Sequence, residues 1–160
     1  MTETEKKSGT ESTGTPGVEQ HISNATINFI VKDKSFEKFA MMMILGTTGD
    51  AMDMKMNFFF TFWGLELLKK GKKPKVAGMP FPMKGMAAKM FTKRLKKFGI
   101  EDPWGLIKEA IENGNMKLYP CEMTMQLMGI KHEDIIEEAE DPVGAASFLE
   151  MSDGGRIVSL

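Results

Sequence analysis

The 160-residue chain contains one cysteine, Cys121. Its thiolate is the one strong nucleophile the side chains offer, provided the sulfur is deprotonated and reachable. Residues 116–119 have the pattern of a strand and 122–128 that of a short helix, so Cys121 falls at a strand-to-helix junction. In open α/β sheets such junctions lie beyond the carboxyl ends of the strands, where ligands bind. A helix start also favours negative charge through its dipole and its free N–H groups, which suits a thiolate, a persulfide or a thiosulfonate adduct. The opposing reading is equally open, because a free cysteine is among the most buried residue types and is often inert. Glu122, next in sequence, would disfavour the thiolate if its carboxylate pointed at the sulfur.

No hydrolytic or metal site accompanies the thiol. His21 lies in or near a polar tail, and His132 follows the Cys121 helix, where a surface position is expected over a role as base. Two histidines and one cysteine give no zinc-type spacing. The sixteen methionines are soft ligands that could suggest copper, but most fall on helix stripes or beside phenylalanine, where methionine fills core volume. Met123, Met125 and Met128 flank the thiol and could line a pocket around it. No GxGxxG or Walker motif occurs. The turn after the first strand, Lys32-Asp33-Lys34-Ser35, lacks the glycines or hydroxyls of a flavin phosphate loop, and Gly46-Thr47-Thr48-Gly49 sits at a helix end. Neither a cofactor nor a metal is expected.

The elements that must position the thiol alternate. Residues 25–31 (ATINFIV) read as a first strand, with Ser35 as N-cap of a following helix that is apolar almost all round and ends near Gly46 and Gly49. Such a helix is expected to be covered on more than one side, by the sheet and by another subunit. Residues 54–62 (MKMNFFFTF) form the clearest strand, apolar enough in their second half for a central parallel position. Trp63-Gly64 turns the chain and 65–70 begin a short helix. Residues 75–77 are a brief strand, and 79–85 (MPFPMKG) a loop. An amphipathic helix follows over 86–98, with Met86, Met90, Phe91, Leu95 and Phe98 as its apolar stripe. Pro103 opens the next helix, which Asn113-Gly114 ends. After the 122–128 helix, closed by Gly129, helices are expected over 132–139 and 144–151, and a last strand over 156–159. The alternation predicts an α/β fold of three layers, a largely parallel sheet with helices on both faces.

Composition narrows the setting. Residues 1–22 carry almost no apolar side chain and read as a disordered tail; 23–160 read as a single α/β domain. The tail has no apolar stretch of the secretory kind, and the longest apolar run, 58–63, is far short of the ~20 residues that span a bilayer. One cysteine cannot form an internal disulfide, which fits a reducing compartment, so a cytoplasmic protein is expected. The net charge is −1, yet every ionisable residue over 69–97 is basic, and acids dominate from Glu101 onward. The simplest account is two solvated faces of opposite sign; the sharper one is docking of opposite surfaces between subunits or with a carrier protein. The basic helix lacks the interleaved aromatics of a nucleic-acid platform, so neither nucleic acid nor membrane is expected as a partner.

Three stretches carry a resemblance: Phe59-Phe60-Thr61-Phe62-Trp63-Gly64-Leu65, the methionine-rich segment 79–90, and Cys121-Glu122-Met123-Thr124-Met125-Gln126-Leu127-Met128-Gly129-Ile130. Together and in this order they resemble the DsrE/DsrF-like family, in the branch found beside sulfur-metabolism and rhodanese genes and often labelled peroxiredoxin-like. The resemblance runs from about Ala25 to the C-terminus. It implies a compact DsrE/DsrF-like α/β fold of flavodoxin-like topology, assembled into homo-oligomers. It also implies a sulfur carrier or sulfurtransferase that handles cysteine persulfide or thiosulfonate, with a TusA-type carrier or a rhodanese as partner. The family's thiol falls on Cys121. Some relatives have a second cysteine in the preceding loop or helix, whereas 79–98 here contains none, which removes an intramolecular relay and gives poor support to a peroxidase. On this expectation Thr61, Trp63 and Gly64 form one wall of a substrate pocket and Met123, Thr124 and Met125 the other. Two rivals remain: a non-catalytic oligomeric interaction module with a buried structural cysteine, and a small-molecule binder that uses no thiol chemistry.

Overall fold

The computed structural model describes residues 25–72, 83–97 and 99–160. Its four strands are β1 (Thr26–Val31), β2 (Lys55–Phe60), β3 (Met116–Pro120) and β4 (Arg156–Ser159). All pair in parallel, in the order β3-β2-β1-β4. Its helices are α1 (Phe36–Ala51), α2 (Met83–Lys97), α3 (Pro103–Glu112), α4 (Glu122–Met128) and α5 (Ala145–Met151), with 3-10 turns at Phe62–Leu68 and His132–Asp134.

The two-residue period of the strands divides the apolar side chains between two faces. Phe29 and Val31 of β1, Met56, Phe58 and Phe60 of β2, and Met116 and Leu118 of β3 share the larger core. Helices α1 and α3 cover it with Phe39, Met42, Met43, Ile107 and Ala110. The register sets Phe29 against Phe58, whose rings stack 4.7 Å apart. The opposite face has a much smaller core of Phe59, Tyr119, Cys121 and Phe148, the last from α5. Helices on both faces of a parallel sheet are the three-layer arrangement the alternation predicts.

Ser35 caps α1 as expected, its side chain accepting from Lys38 N–H. The helix does not end at Gly46 or Gly49, however; it continues to Ala51 with both glycines buried on its inner side. A Cβ on Gly46 would lie 2.7 Å from Met116 Sδ, and one on Gly49 would overlap the Met56 side chain. These glycines thus let the helix approach the sheet rather than stop it. The sheet and α3 cover α1 on two sides, with Trp104 of α3 meeting Phe39 at 5.3 Å, while Met41 and Ile44 stay exposed.

Three other expectations change. The helix expected over 86–98 begins three residues earlier, taking in Met83, Lys84 and Gly85; a single glycine costs a helix only about 1 kcal/mol. Its Met86 and Met90 are exposed and Leu95 packs on the core, while the side chains of Phe91 and Phe98 lie outside the described residues. The short helix expected over 65–70 is the 3-10 turn, which starts at Phe62. The helix expected over 132–139 is confined to the turn His132–Asp134, because the following residues pair with the chain after β2. There Lys70 N–H donates to Asp134 O and Ile136 N–H to Leu68 O, both at 2.9 Å. The tail and the expected strand over 75–77 lie outside the described residues, as do residues 79–82 of the expected loop.

Candidate functional site

Cys121 is the N-cap of α4, one residue past the end of β3. Its N–H donates to Phe60 O and its carbonyl accepts from Met125 N–H, each at 2.9 Å. The ladder therefore carries one residue beyond β3 and then turns directly into the helix. The position is at the carboxyl edge of the sheet, as the sequence suggests. It is not at the reversal of strand order, which lies between β1 and β4. Met123 and Thr124 occupy the first turn of α4, where N–H groups have no acceptor within the helix. Glu122 N–H is already bonded to Val143 O.

The sulfur does not face an open cleft. Cys121 is 5% exposed and packs with Phe59, Tyr119 and Phe148, with Ile30 and Val143 around them. Phe59 and Tyr119 stand on the same face as Cys121 because all three sit in phase along β2 and β3. Phe148 comes from far along the chain and stacks on Phe59 at 4.5 Å, with its edge toward Tyr119 at 6.2 Å. Burial raises the Tyr119 phenol above its ordinary value of 10.0. Glu122 points away from this cluster. It is exposed and accepts from Gln126 Nε2 at 3.4 Å, so its carboxylate is not aimed at the sulfur.

The residues expected to wall the site divide into those that meet and those that do not. Thr61 and Thr124 meet: their hydroxyls are 3.0 Å apart, and Phe62 N–H donates to Thr124 Oγ1 at 3.3 Å. This pair ties the end of β2 to α4 next to Cys121. Phe62 is held there with φ 46°, a left-handed conformation rare for an aromatic residue, and its ring is exposed. Gly64 serves the backbone, since a Cβ there would overlap Val31 O at the end of β1. Trp63 is 60% exposed, with Lys34 Nζ 5.1 Å above its ring and the same ammonium bonded to Glu66 at 2.9 Å. Met123 is exposed, whereas Met125 is buried in the larger core rather than beside the sulfur. The residues that touch Cys121 were thus only partly foreseeable. Phe59 and Tyr119 follow from strand phase, and nothing in the local sequence points to Phe148.

His132 is a surface residue, with Nε2 3.6 Å from Asp141 Oδ1. Among the described residues no three His, Cys, Asp or Glu side chains gather as a metal site. A cavity of about 590 Å³ flanks the outer side of α4 between Met125, Gln126, Ile130 and Lys131, and Cys121 does not line it. Among the described residues no helix is long and apolar enough to cross a membrane.

Residues 23–158 match the model of the DsrE/DsrF/DrsH-like family. The chain belongs to this family. The three stretches that carry the resemblance, around Phe59, over 79–90 and around Cys121, all fall inside the match. Among DsrE-like relatives, the sulfur carrier protein DsrE2 of Allochromatium vinosum is 30% identical over 130 residues, which cover 68% of this chain and 80% of that protein. The uncharacterized protein YrkE of Bacillus subtilis is 28% identical over 142 residues, covering 76% and 88%. Two solved structures share the fold at low identity. The protein of unknown function MTH1491 from Methanobacterium thermoautotrophicum aligns with TM-score 0.52 at 8% identity, over 86% of this chain and all of the other. The ychN protein from E. coli aligns with TM-score 0.52 at 10% identity, over 86% and 99%.

Proposed function

We propose that this DsrE-like protein is a sulfur carrier that holds sulfane sulfur or a thiosulfonate group on Cys121 and passes it to a partner thiol. The observation that carries the proposal is the placement of the only thiol at the β3–α4 junction, in a chain 30% identical to a sulfur carrier. In the loading step the Cys121 thiolate attacks a sulfur of the donor. A Cys121–S bond to the transferred sulfur forms, and the donor's S–S bond breaks. The leaving thiolate or thiosulfate takes the electron pair, and the proton of the thiol goes to solvent. Transfer is the same exchange in reverse, with the partner's thiolate attacking the outer sulfur. With no second cysteine in the chain, the acceptor must supply the other thiol. A small carrier of the TusA type or a rhodanese has the required chemistry.

One observation favours a second reading. Cys121 is buried in an apolar cluster, as a structural thiol in an interaction module would be. Intact mass separates the two, measured on native wild type and Cys121→Ser after polysulfide and after tetrathionate. The carrier gains sulfur from polysulfide, or a thiosulfonate group from tetrathionate, on wild type alone. A native protein that gains nothing, yet is labelled fully by an alkylating agent once unfolded, is the interaction module.

A further inference from the structure

The thiol is enclosed by parts of unequal firmness. Phe59 and Tyr119 are fixed in the β2–β3 ladder. Val143 is held by two backbone bonds, from Glu122 N–H to its carbonyl and from its own N–H to Pro120 O, each 3.0 Å. The remaining cover is α5, a helix of seven residues of which Phe148 alone is buried and the other six are exposed. So short a helix has little stability of its own and depends on docking. Its N-cap, Gly144, makes no side-chain capping bond. Its one buried apolar side chain is the Phe148 ring, lying flat on Phe59 and edge-on to Tyr119, and its buried C-cap Ser152 bonds back to Phe148 O within the segment.

Both ends of this segment are anchored independently of that ring. Val143 is pinned before it. After it, Gly155 packs so closely on Asn28 that a Cβ would lie 2.5 Å from Asn28 Nδ2, and β4 then joins β1. The segment between can therefore lift or unwind without disturbing the sheet. Leu149 and Met151 of the same helix are exposed.

We propose that α5 is a lid over Cys121, latched by the Phe148 ring, and that the thiol becomes reactive when this lid opens as a local event, without unfolding of the sheet. The proposal deepens the carrier function, because a buried carrier thiol needs a route to its donor and acceptor. Lifting Phe148 uncovers the sulfur together with the faces of Phe59 and Tyr119. Local openings of this kind cost less than global unfolding and expose little surface, so they respond weakly to denaturant.

The test is the rate of Cys121 alkylation by iodoacetamide in native protein at increasing low urea, beside urea unfolding curves for each variant. A lid predicts a slow wild-type rate that is nearly flat in urea. It predicts that Phe148→Ala raises the rate by about tenfold or more without urea, as expected when two ring contacts are lost. Leu149→Ala leaves the rate unchanged, and Phe148→Leu falls between, which serves if Phe148→Ala does not fold. Two results overturn the lid. In the first, wild-type labelling climbs with urea along the full unfolding slope and each variant's rate follows its global stability, so the thiol is reached only through unfolding. In the second, wild type reacts as fast as a free small thiol, so nothing covers it. Carrier function fails separately: a thiol that labels through a local opening but gains no sulfur from polysulfide leaves the lid standing and removes the carrier.

Discussion

The two faces of the sheet are built to different depths. The face under α1 and α3 buries side chains from three strands, both helices and the 3-10 turn after β2, including Leu65, Leu67 and Leu68. The other face has an apolar core of four buried residues, of which α5 supplies one and the thiol is another. A densely packed face resists local change, because every side chain has neighbours that must move with it. A face closed by one ring can open at one point. The thick face thus holds the sheet together, and the thin face encloses the Cys121 thiol.

This contrast can be broken most directly by matched truncations. Phe58→Ala, fully buried on the thick face, is expected to cost about 3–5 kcal/mol of unfolding free energy. Phe148→Ala is expected to cost clearly less, because α5 can settle or detach instead of leaving a cavity. Urea unfolding measures both, and equal losses would mean that the thin face is as integral to the fold as the thick one. A polar test comes next. Asn28 is fully buried on the thin face, and its Oδ1 accepts from Asn57 Nδ2 at 2.9 Å. Asn57→Ala strands that oxygen and should cost about 1–3 kcal/mol. A neutral result would show that water reaches Asn28, and the face would then be more open than described.

A smaller effect reports on the latch itself. Tyr119 is the only tyrosine, so the ultraviolet absorbance of its phenolate follows one group. Burial raises its pKa in the folded protein, so its contribution to stability is fully present below the ordinary value of 10.0 and is lost as pH rises through the folded value. Phe148→Ala should move the titration midpoint down toward 10.0, and an unmoved midpoint would mean that Phe148 does not shield the phenol. The smallest effect belongs to the thick-side pair of the exposed Lys108 and the half-buried Glu138. The hydrogen bond from Lys108 holds the Glu138 carboxyl below its ordinary value of 4.5. That contribution is present above pH 4.5 and is lost as pH falls through the depressed value, so Lys108→Ala should flatten the acid side of the stability profile and leave neutral pH almost unchanged. An unaltered acid side would show that the pair does not persist in solution.

Much of this was legible in the residues. The β-branched and aromatic run of β1, the apolar half of β2 and the Pro103 and Gly129 punctuation mark elements close to where they form. Strand phase also places Tyr119 and Phe59 on the face of Cys121. Gly46 and Gly49 misled because a glycine that ends a helix and one that lets it press on a methionine are the same letter. The stretch after His132 reads as helix, yet its backbone bonds to the chain after β2, a partner more than sixty residues away that local pattern does not reveal. Phe148 was the largest omission, for the same reason: its role comes from a long-range stack on Phe59, not from anything in its own neighbourhood.

The most direct measurement of the central claim is release. Wild type loaded with polysulfide, freed of excess reagent and mixed with a small acceptor thiol, is followed by intact mass and by the acceptor's persulfide. On a carrier, the adduct on Cys121 disappears as acceptor persulfide appears in equal amount, and Cys121→Ser carries and releases nothing. An adduct that forms but stays on the protein in the presence of the acceptor thiol would contradict carrier function, and Cys121 would then be a site of modification and not of transport.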